Sequence, residues 1–326
     1  MNLETYNTAH DAAVWRELSH FGRFVFSGKE AAALLHHLTT NDIRALKDGS
    51  TCDTALITSK ARVLDLLTVS RIGNELHVVT SPNRREAFIP HCERFIVYRQ
   101  DVHISDVTSA TSMVGLFGPQ WQATLATMMG APEIELKEGT TQEIKVDGVP
   151  ALALLTRRLP GGGCLLWSAS RGLTERFAAR TELPRVDDAT YNVLRVESAI
   201  PAAGLELTED INPWEAGFDY AISLHKGCYN GQEVVARLNT YKKVKQHLFR
   251  LKIEKPFPLG ERPLLTQNGK TAGIATSSAI SPKLGPLALA YIRGDYETPG
   301  EQLEMATQEG LQRVTIDAGY KMQDAG

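Results

Sequence analysis

Apolar residues along the first 245 positions follow two alternating spacings, one typical of strands and one typical of helices. Between positions 31 and 38 the apolar residues lie three and four apart, which predicts an amphipathic helix. Gly73-Asn74 separates two strand-like runs and has the backbone freedom that a tight hairpin needs. Strand-like runs recur at Arg23–Ser27, Thr51–Thr58, Arg62–Ile72, Glu75–Thr80, Ser112–Phe117, Val149–Leu155 and Gly163–Ser168. Helical segments alternate with these runs, which predicts an α+β fold with helices packed on antiparallel sheets.

The pattern changes after about Lys245. Short apolar runs then follow one another, separated by Gly, Pro and Asn, with no helical stretch between them. Such a series predicts a small all-β unit, a barrel or a sandwich. We therefore divide the chain into residues 1–245, an α+β region of two interwoven units, and residues 246–326, a C-terminal β-barrel domain.

Composition limits the class of protein without identifying a function. The chain has 326 residues, of which 43% are hydrophobic and 22% are charged, and its formal net charge is −3. This balance is typical of a folded globular protein and gives no general attraction to nucleic acid or to a membrane. The N-terminus lacks the basic start and the apolar run of a secretory signal. We expect a soluble, cytoplasmic monomer.

The four cysteines are spread widely along the chain and form no C-x-x-C pair. This spacing argues against a zinc site built from paired thiolates and against a disulfide framework. We therefore expect reduced thiols and no metal site.

One distinctive polar stretch follows a predicted helix. Arg195 and Glu197 stand near the end of that helix, which Pro201 and Gly204 terminate. At such a position Glu197 is suited to accept two hydrogen bonds from a planar pair of donors, such as the edge of a pterin. The alternative is that Glu197 only pairs with Arg195 or solvates the helix end.

The second distinctive stretch is KGCYNGQE, Lys226–Glu233. Gly227 and Gly231 frame Cys228, which predicts a tight turn around the cysteine. Lys226 and His225 precede Cys228. Positive neighbours favour the thiolate, so an exposed Cys228 would be a reactive thiol. The alternative is a turn around a buried and inert cysteine.

The second stretch matches the signature K-G-C-[FY]-x-G-Q-E of the YgfZ family of folate-binding proteins, a branch of the glycine cleavage T-protein (aminomethyltransferase) superfamily. The stretch Arg195–Gly204 resembles the R-x-E-x-G-x-P-x-x-G of the wider superfamily, and Pro213–Gly217 fits the P-x-E-A-G that follows it there. The resemblance extends from about residue 20 to about residue 250.

This resemblance implies a cloverleaf of three units around a central cavity that holds tetrahydrofolate or a folate derivative, with a small C-terminal β-barrel. It implies that Glu197 contacts the pterin, and we add Arg195 and Tyr229 as candidate folate-binding residues. It also implies that Cys228 is the candidate catalytic thiol. The motif residues are Lys226, Gly227, Cys228, Tyr229, Gly231, Gln232 and Glu233.

YgfZ proteins support the synthesis or repair of iron–sulfur enzymes, including the enzyme that methylthiolates tRNA. The partners that the resemblance implies are therefore folate and iron–sulfur client enzymes or assembly factors. It implies contact with tRNA only indirectly and no contact with a membrane.

One departure bears on catalysis. Active T-proteins carry an aspartate in a stretch like V-V-N-A-x-x-x-x-K-D, and Ala87 stands where that aspartate is expected, with Glu86 one position away. Aminomethyl transfer needs a carboxylate near the folate N5 atom. We therefore predict a folate-dependent maintenance factor for iron–sulfur proteins. The alternatives are a tetrahydrofolate-dependent aminomethyltransferase and an interaction module with an empty pocket.

Overall fold

The computed structural model describes residues 1–319 of the chain. The helices are α1 (Leu3–Asp11), α2 (Ala31–Leu38), α3 (Arg85–Glu93), α4 (Trp121–Met129), α5 (Gly172–Ala178), α6 (Asp188–Glu197) and α7 (Gln232–Thr240). The first ten strands are β1 (Val14–Glu17), β2 (Arg23–Ser27), β3 (Thr51–Ile57), β4 (Val63–Ile72), β5 (Glu75–Val79), β6 (His103–Asp106), β7 (Ser112–Phe117), β8 (Thr141–Val146), β9 (Val149–Thr156) and β10 (Gly163–Ser168). The last six are β11 (Gln246–Ile253), β12 (Leu264–Gln267), β13 (Lys270–Ser281), β14 (Gly285–Arg293), β15 (Gln302–Thr307) and β16 (Gly310–Gly319).

The chain forms two compact units that interleave along the sequence. The N-terminal unit contains Met1–Ile57, Asp65–Thr190 and Tyr220–Asn230. Within the described residues, the C-terminal unit contains Thr58–Leu64, Tyr191–Asp219 and 231–319. This grouping differs from the division at Lys245, and that domain boundary stays a prediction.

The N-terminal unit is built on two five-stranded antiparallel sheets, ordered β3-β4-β5-β2-β6 and β1-β7-β10-β9-β8. The predicted hairpin at Gly73-Asn74 joins β4 to β5, and Gly73 has the positive φ of 58° that this turn requires. Aromatic side chains such as Trp15 and Phe177 fill the core against the second sheet. The prediction of an α+β fold is confirmed.

Ser81-Pro82 has the sequence of a helix start, with Ser as N-cap and Pro in the first turn, but the structure begins α3 differently. A short 3₁₀ turn, Pro82–Arg84, precedes α3, and the Ser81 side chain makes no capping hydrogen bond. The Ser81 hydroxyl instead accepts a hydrogen bond from Arg158 at 3.4 Å. A long-range polar contact thus replaces the local cap.

The C-terminal unit contains a closed antiparallel barrel with the strand order β11-β14-β13-β12-β15-β16. Alanine and larger aliphatic side chains share its interior, including Ala275, Ala288, Leu251 and Leu303. Closure leaves no open sheet edge, which is a common way for short strands to satisfy their main-chain groups. The predicted C-terminal barrel is confirmed.

None of the helices within residues 1–319 has both the length and the apolar character that crossing a membrane requires.

Candidate functional site

The guanidinium of Arg195, on α6, is engaged in a buried polar cluster. Arg195 is 4% exposed and donates to Glu206 Oε2 at 3.2 Å and to Ser277 Oγ at 2.8 Å. Glu206 is fully buried and also accepts from the Thr276 hydroxyl at 2.7 Å and from the main-chain N–H of Ala202 at 2.9 Å. A buried ion pair with this many hydrogen bonds holds the α6 end to the barrel strand β13. The structure therefore gives Arg195 a structural ion pair, and a folate contact by this residue stays a prediction.

Glu197 is the last residue of α6. Its side chain is only 7% exposed, so the alternative in which it merely solvates the helix end is wrong. Its main-chain carbonyl accepts a hydrogen bond from Arg250 on β11, and Arg250 also pairs with Asp317 at 2.6 Å. The main-chain carbonyl at the helix terminus is thereby satisfied, and Glu197 is sheltered from solvent in the C-terminal unit.

Lys226 of the KGCYNGQE motif is a buried cation in the N-terminal unit, 5% exposed. Its Nζ donates to the carbonyl oxygens of His36 at 2.6 Å, Thr39 at 2.6 Å and Asn41 at 2.7 Å. These carbonyls belong to the last turn of α2 and the residues just after it, where a helix leaves carbonyl groups unsatisfied and favours a positive charge. The Tyr229 ring centroid lies 4.6 Å from the same ammonium, a cation–π contact. The ammonium of Lys226 thus satisfies the carbonyl groups at the C-terminal end of α2.

The rest of the motif surrounds an accessible thiol. Cys228 is exposed, and the alternative of a buried, inert cysteine is wrong. The N–H of Asn230 donates to the carbonyl of His37 at 2.8 Å, so the loop returns to α2 after the cysteine. Gly231 has a φ of 79° and is the N-cap residue of α7, whose first two residues are Gln232 and Glu233. Glu233 is exposed and forms an i,i+4 pair within α7.

Two carboxyl groups of the N-terminal unit were not singled out from the sequence. Asp65, on β4, is buried and accepts from the main-chain N–H groups of Leu66 at 2.8 Å and Ser81 at 2.9 Å. Asp53, on β3, accepts from the Thr68 hydroxyl at 2.6 Å. The signal for Asp65 was a lone acid inside the apolar run VLDLLTV.

Arg158 connects the surroundings of these two acids. It donates to the Thr68 hydroxyl at 3.3 Å, in addition to its bond with Ser81. Burial raises the pKa of Asp53 and of Asp65, and the nearby Arg158 charge opposes that rise. The raised pKa shifts both carboxyl groups toward their protonated form relative to an acid in water.

Ala87 lies on an exposed part of α3, next to the exposed Glu86. Its methyl group cannot accept or deliver a proton. Glu86 carries a carboxylate, but the residue is exposed to solvent.

Alkylation should distinguish Cys228 from the other three cysteines. Burial raises the pKa of Cys52 and of Cys92 to about 12 and also raises the pKa of Cys164. Because the thiolate is the nucleophile, iodoacetamide at pH 7.5 should modify exposed Cys228 at least about tenfold faster than the others. Mass spectrometry of tryptic peptides over time measures the four rates. Equal rates would mean that the Cys228 loop is closed in solution.

Family models and related proteins agree on the family to which this chain is similar. The GCVT N-terminal domain matches residues 2–157, and the glycine cleavage T-protein C-terminal barrel domain matches residues 246–318. The chloroplastic At1g60990 protein of Arabidopsis thaliana, which carries a provisional name as a transferase, is 29% identical over 94% of this chain and 72% of its own length. The aminomethyltransferase of Moorella thermoacetica is 28% identical over 96% of this chain and 87% of its own length.

A solved structure has the same fold. The glycine cleavage system aminomethyltransferase T from Bartonella henselae superposes with a TM-score of 0.83 at 20% identity, covering 97% of this chain and 88% of that one. The family domains that match the N-terminal region and the barrel both come from the glycine cleavage T-protein. The chain belongs to the GcvT-like aminomethyltransferase superfamily, the superfamily of the glycine cleavage T-protein.

Proposed function

We propose that this protein binds tetrahydrofolate or a folate derivative and supports the synthesis or repair of iron–sulfur enzymes, including the enzyme that methylthiolates tRNA. The observation that carries the proposal is the exposed Cys228 in a KGCYNGQE loop that resembles the YgfZ signature. A thiol displayed at the surface is accessible to a client protein, whereas a buried thiol is not.

The folate part of the proposal rests on the superfamily and on Glu197. GcvT-like proteins depend on tetrahydrofolate. Glu197 is the residue to which the resemblance of the Arg195–Gly204 stretch assigns the pterin contact. Its burial at the end of α6 supports this assignment, because a sheltered carboxylate forms stronger hydrogen bonds than one in water. Tyr229 is retained as a second candidate contact.

Position 87 argues against aminomethyl transfer by this chain. The expected aspartate is replaced by an alanine on an exposed part of α3. Aminomethyl transfer requires a carboxylate that steers protons and stabilises positive charge at the reacting centre. Without it, the folate-binding framework is retained and the transfer step is disabled.

Complementation of a gene deletion tests the maintenance role. The deletion strain should lose most of its methylthiolated tRNA, measured by mass spectrometry of digested tRNA, and the wild-type gene should restore it. Cys228→Ala should restore at most about a tenth of the wild-type level, since the thiol is the group that acts. Leu224→Ala, an exposed position of the same segment, is the control and should restore it fully. Full rescue by Cys228→Ala, or normal tRNA in the deletion strain, would contradict the proposal.

An active aminomethyltransferase is the second candidate, favoured by the names of the relatives and by the buried carboxyl groups of Asp53 and Asp65, whose pKa is raised by burial. Purified protein with an aminomethyl-lipoyl carrier and tetrahydrofolate should form no methylenetetrahydrofolate above the protein-free rate. Formation that is lost in Asp65→Asn would replace the first candidate with the second.

A further inference from the structure

The segment Leu224–Tyr229 is hydrogen-bonded to the rest of the described chain through one side chain, that of Lys226, and the buried Tyr229 ring packs against the same ammonium. Main-chain hydrogen bonds hold its two ends, Ser223 N–H to the carbonyl of Thr40 at 2.9 Å and Asn230 N–H to the carbonyl of His37 at 2.8 Å. Between these ends, within the part of the chain that the structure describes, the hydrogen bonds are the three that Lys226 donates to α2 and the residues after it. Removing this side chain removes the segment's central anchor.

The surroundings of the ammonium are polar and partly titratable. His36 of α2 is buried, and its Nδ1 lies 3.2 Å from Asp42 Oδ1. The negative charge of Asp42 favours the charged form of Lys226, and the positive charge of Arg44 opposes it. Burial, together with the Lys226 charge, lowers the pKa of His36, so His36 adds no competing cation near neutral pH.

We propose that Lys226 is the positioning residue of the thiol loop: by binding the carbonyls at the C-terminal end of α2, it determines how Cys228 is presented at the surface. The inference rests on the proposed function only in treating Cys228 as the acting thiol. In this arrangement the motif lysine and the motif cysteine have separate tasks. The lysine binds the loop to the end of α2, and the cysteine is exposed to solvent.

The anchor depends on the number of protons on Lys226. An ammonium has three N–H donors and each carbonyl receives one, whereas a neutral amine has only two. Burial lowers the pKa of Lys226 from 10.5 to about 7. As the pH rises through 7, one of the three carbonyls therefore loses its donor and the loop is held less firmly.

The effect on global stability has the opposite sign. Between the folded pKa near 7 and the unfolded value of 10.5, the unfolded chain binds more protons at Lys226 than the folded chain does. The free energy of unfolding therefore rises with pH across this window. If Lys226 had only a structural role, the loop and the whole protein would change in the same direction with pH. A loop that loosens while the free energy of unfolding rises therefore indicates a positioning role.

The test measures iodoacetamide alkylation of Cys228 from pH 6 to pH 9 by mass spectrometry, together with hydrogen exchange of residues 224–229. Wild type should show a step in rate near pH 7 in addition to the ionisation of the thiol. Lys226→Met should alter the rate at pH 6 at least about fivefold, speed exchange of the segment and remove the step. Lys226→Arg stays charged, so it should keep the rate within about twofold and also lose the step. Lys243→Met, at an exposed lysine, should match wild type.

The inference would be overturned if Lys226→Met kept the wild-type alkylation rate of Cys228, the step near pH 7 and the wild-type hydrogen exchange of residues 224–229. If Lys226→Met does not fold, the Lys226→Arg profile decides: loss of the step supports the inference, and a retained step refutes it. The measurements need neither folate nor a client protein. A failure of the tRNA complementation would leave them unchanged, so the two proposals fail separately.

Discussion

Replacing Arg195 with methionine is expected to lower the free energy of unfolding by about 3–5 kcal/mol. The substitution leaves the carboxylate of Glu206 fully buried without its cationic partner. It also removes the donor to the Ser277 hydroxyl on β13, so the end of α6 loses a link to the barrel. Urea denaturation followed by circular dichroism measures the change.

The matched control is Arg237→Met on α7. Arg237 forms an ion pair with Glu233 at 3.4 Å, but both side chains are exposed. Such a pair contributes roughly 0.3–0.5 kcal/mol. A loss below about 1 kcal/mol for Arg195→Met would show that the buried pair is replaceable, and the role of Arg195 would then have to be sought in ligand binding.

Glu197→Ala is expected to weaken tetrahydrofolate binding by about 1.5–3 kcal/mol, the contribution of hydrogen bonds to a charged group. This corresponds to a rise in Kd of about 10- to 150-fold. Isothermal titration calorimetry measures the Kd, and thermal unfolding checks that the variant is folded. Glu209→Ala, at an exposed carboxylate of the same unit, should bind as the wild type does.

Three outcomes of this titration are informative. Weaker binding by a folded Glu197→Ala protein supports the pterin contact. Unchanged binding means that another group recognises the ligand. If the wild type itself shows no heat and no thermal shift with tetrahydrofolate, the folate proposal is wrong and the interaction module with an empty pocket becomes the better description.

Local signals in the sequence were sufficient for much of the fold. The hairpin at Gly73 and the closely spaced strands after Lys245 follow from turn residues and periodicity that act over a few positions. Helix α1 was missed because LETYNTAHD has no strong apolar face. It is stabilised by the Asn2 cap and by burial of Tyr6, and burial cannot be read from its own residues.

The sequence identified which residues belong to the candidate site, but it did not identify their hydrogen-bond partners. The motif identified Lys226 and Cys228, but the acceptors of the lysine lie up to 190 positions away. Arg195 was assigned to folate or to Glu197, whereas its partners include Ser277, 82 positions away. Asp65 looked like one acid in an apolar strand, and only the fold shows the N–H groups that it accepts from.

The capping of α2 by Lys226 has a consequence for synthesis on the ribosome. The helix emerges early, but the side chain that satisfies its last carbonyls is encoded 190 residues later than His36. At 5–20 residues per second, the nascent helix waits roughly 10–40 s for that side chain. During this interval the carbonyls face water or a chaperone. Completion of the N-terminal unit is therefore a late event of translation, although most of its residues are made first.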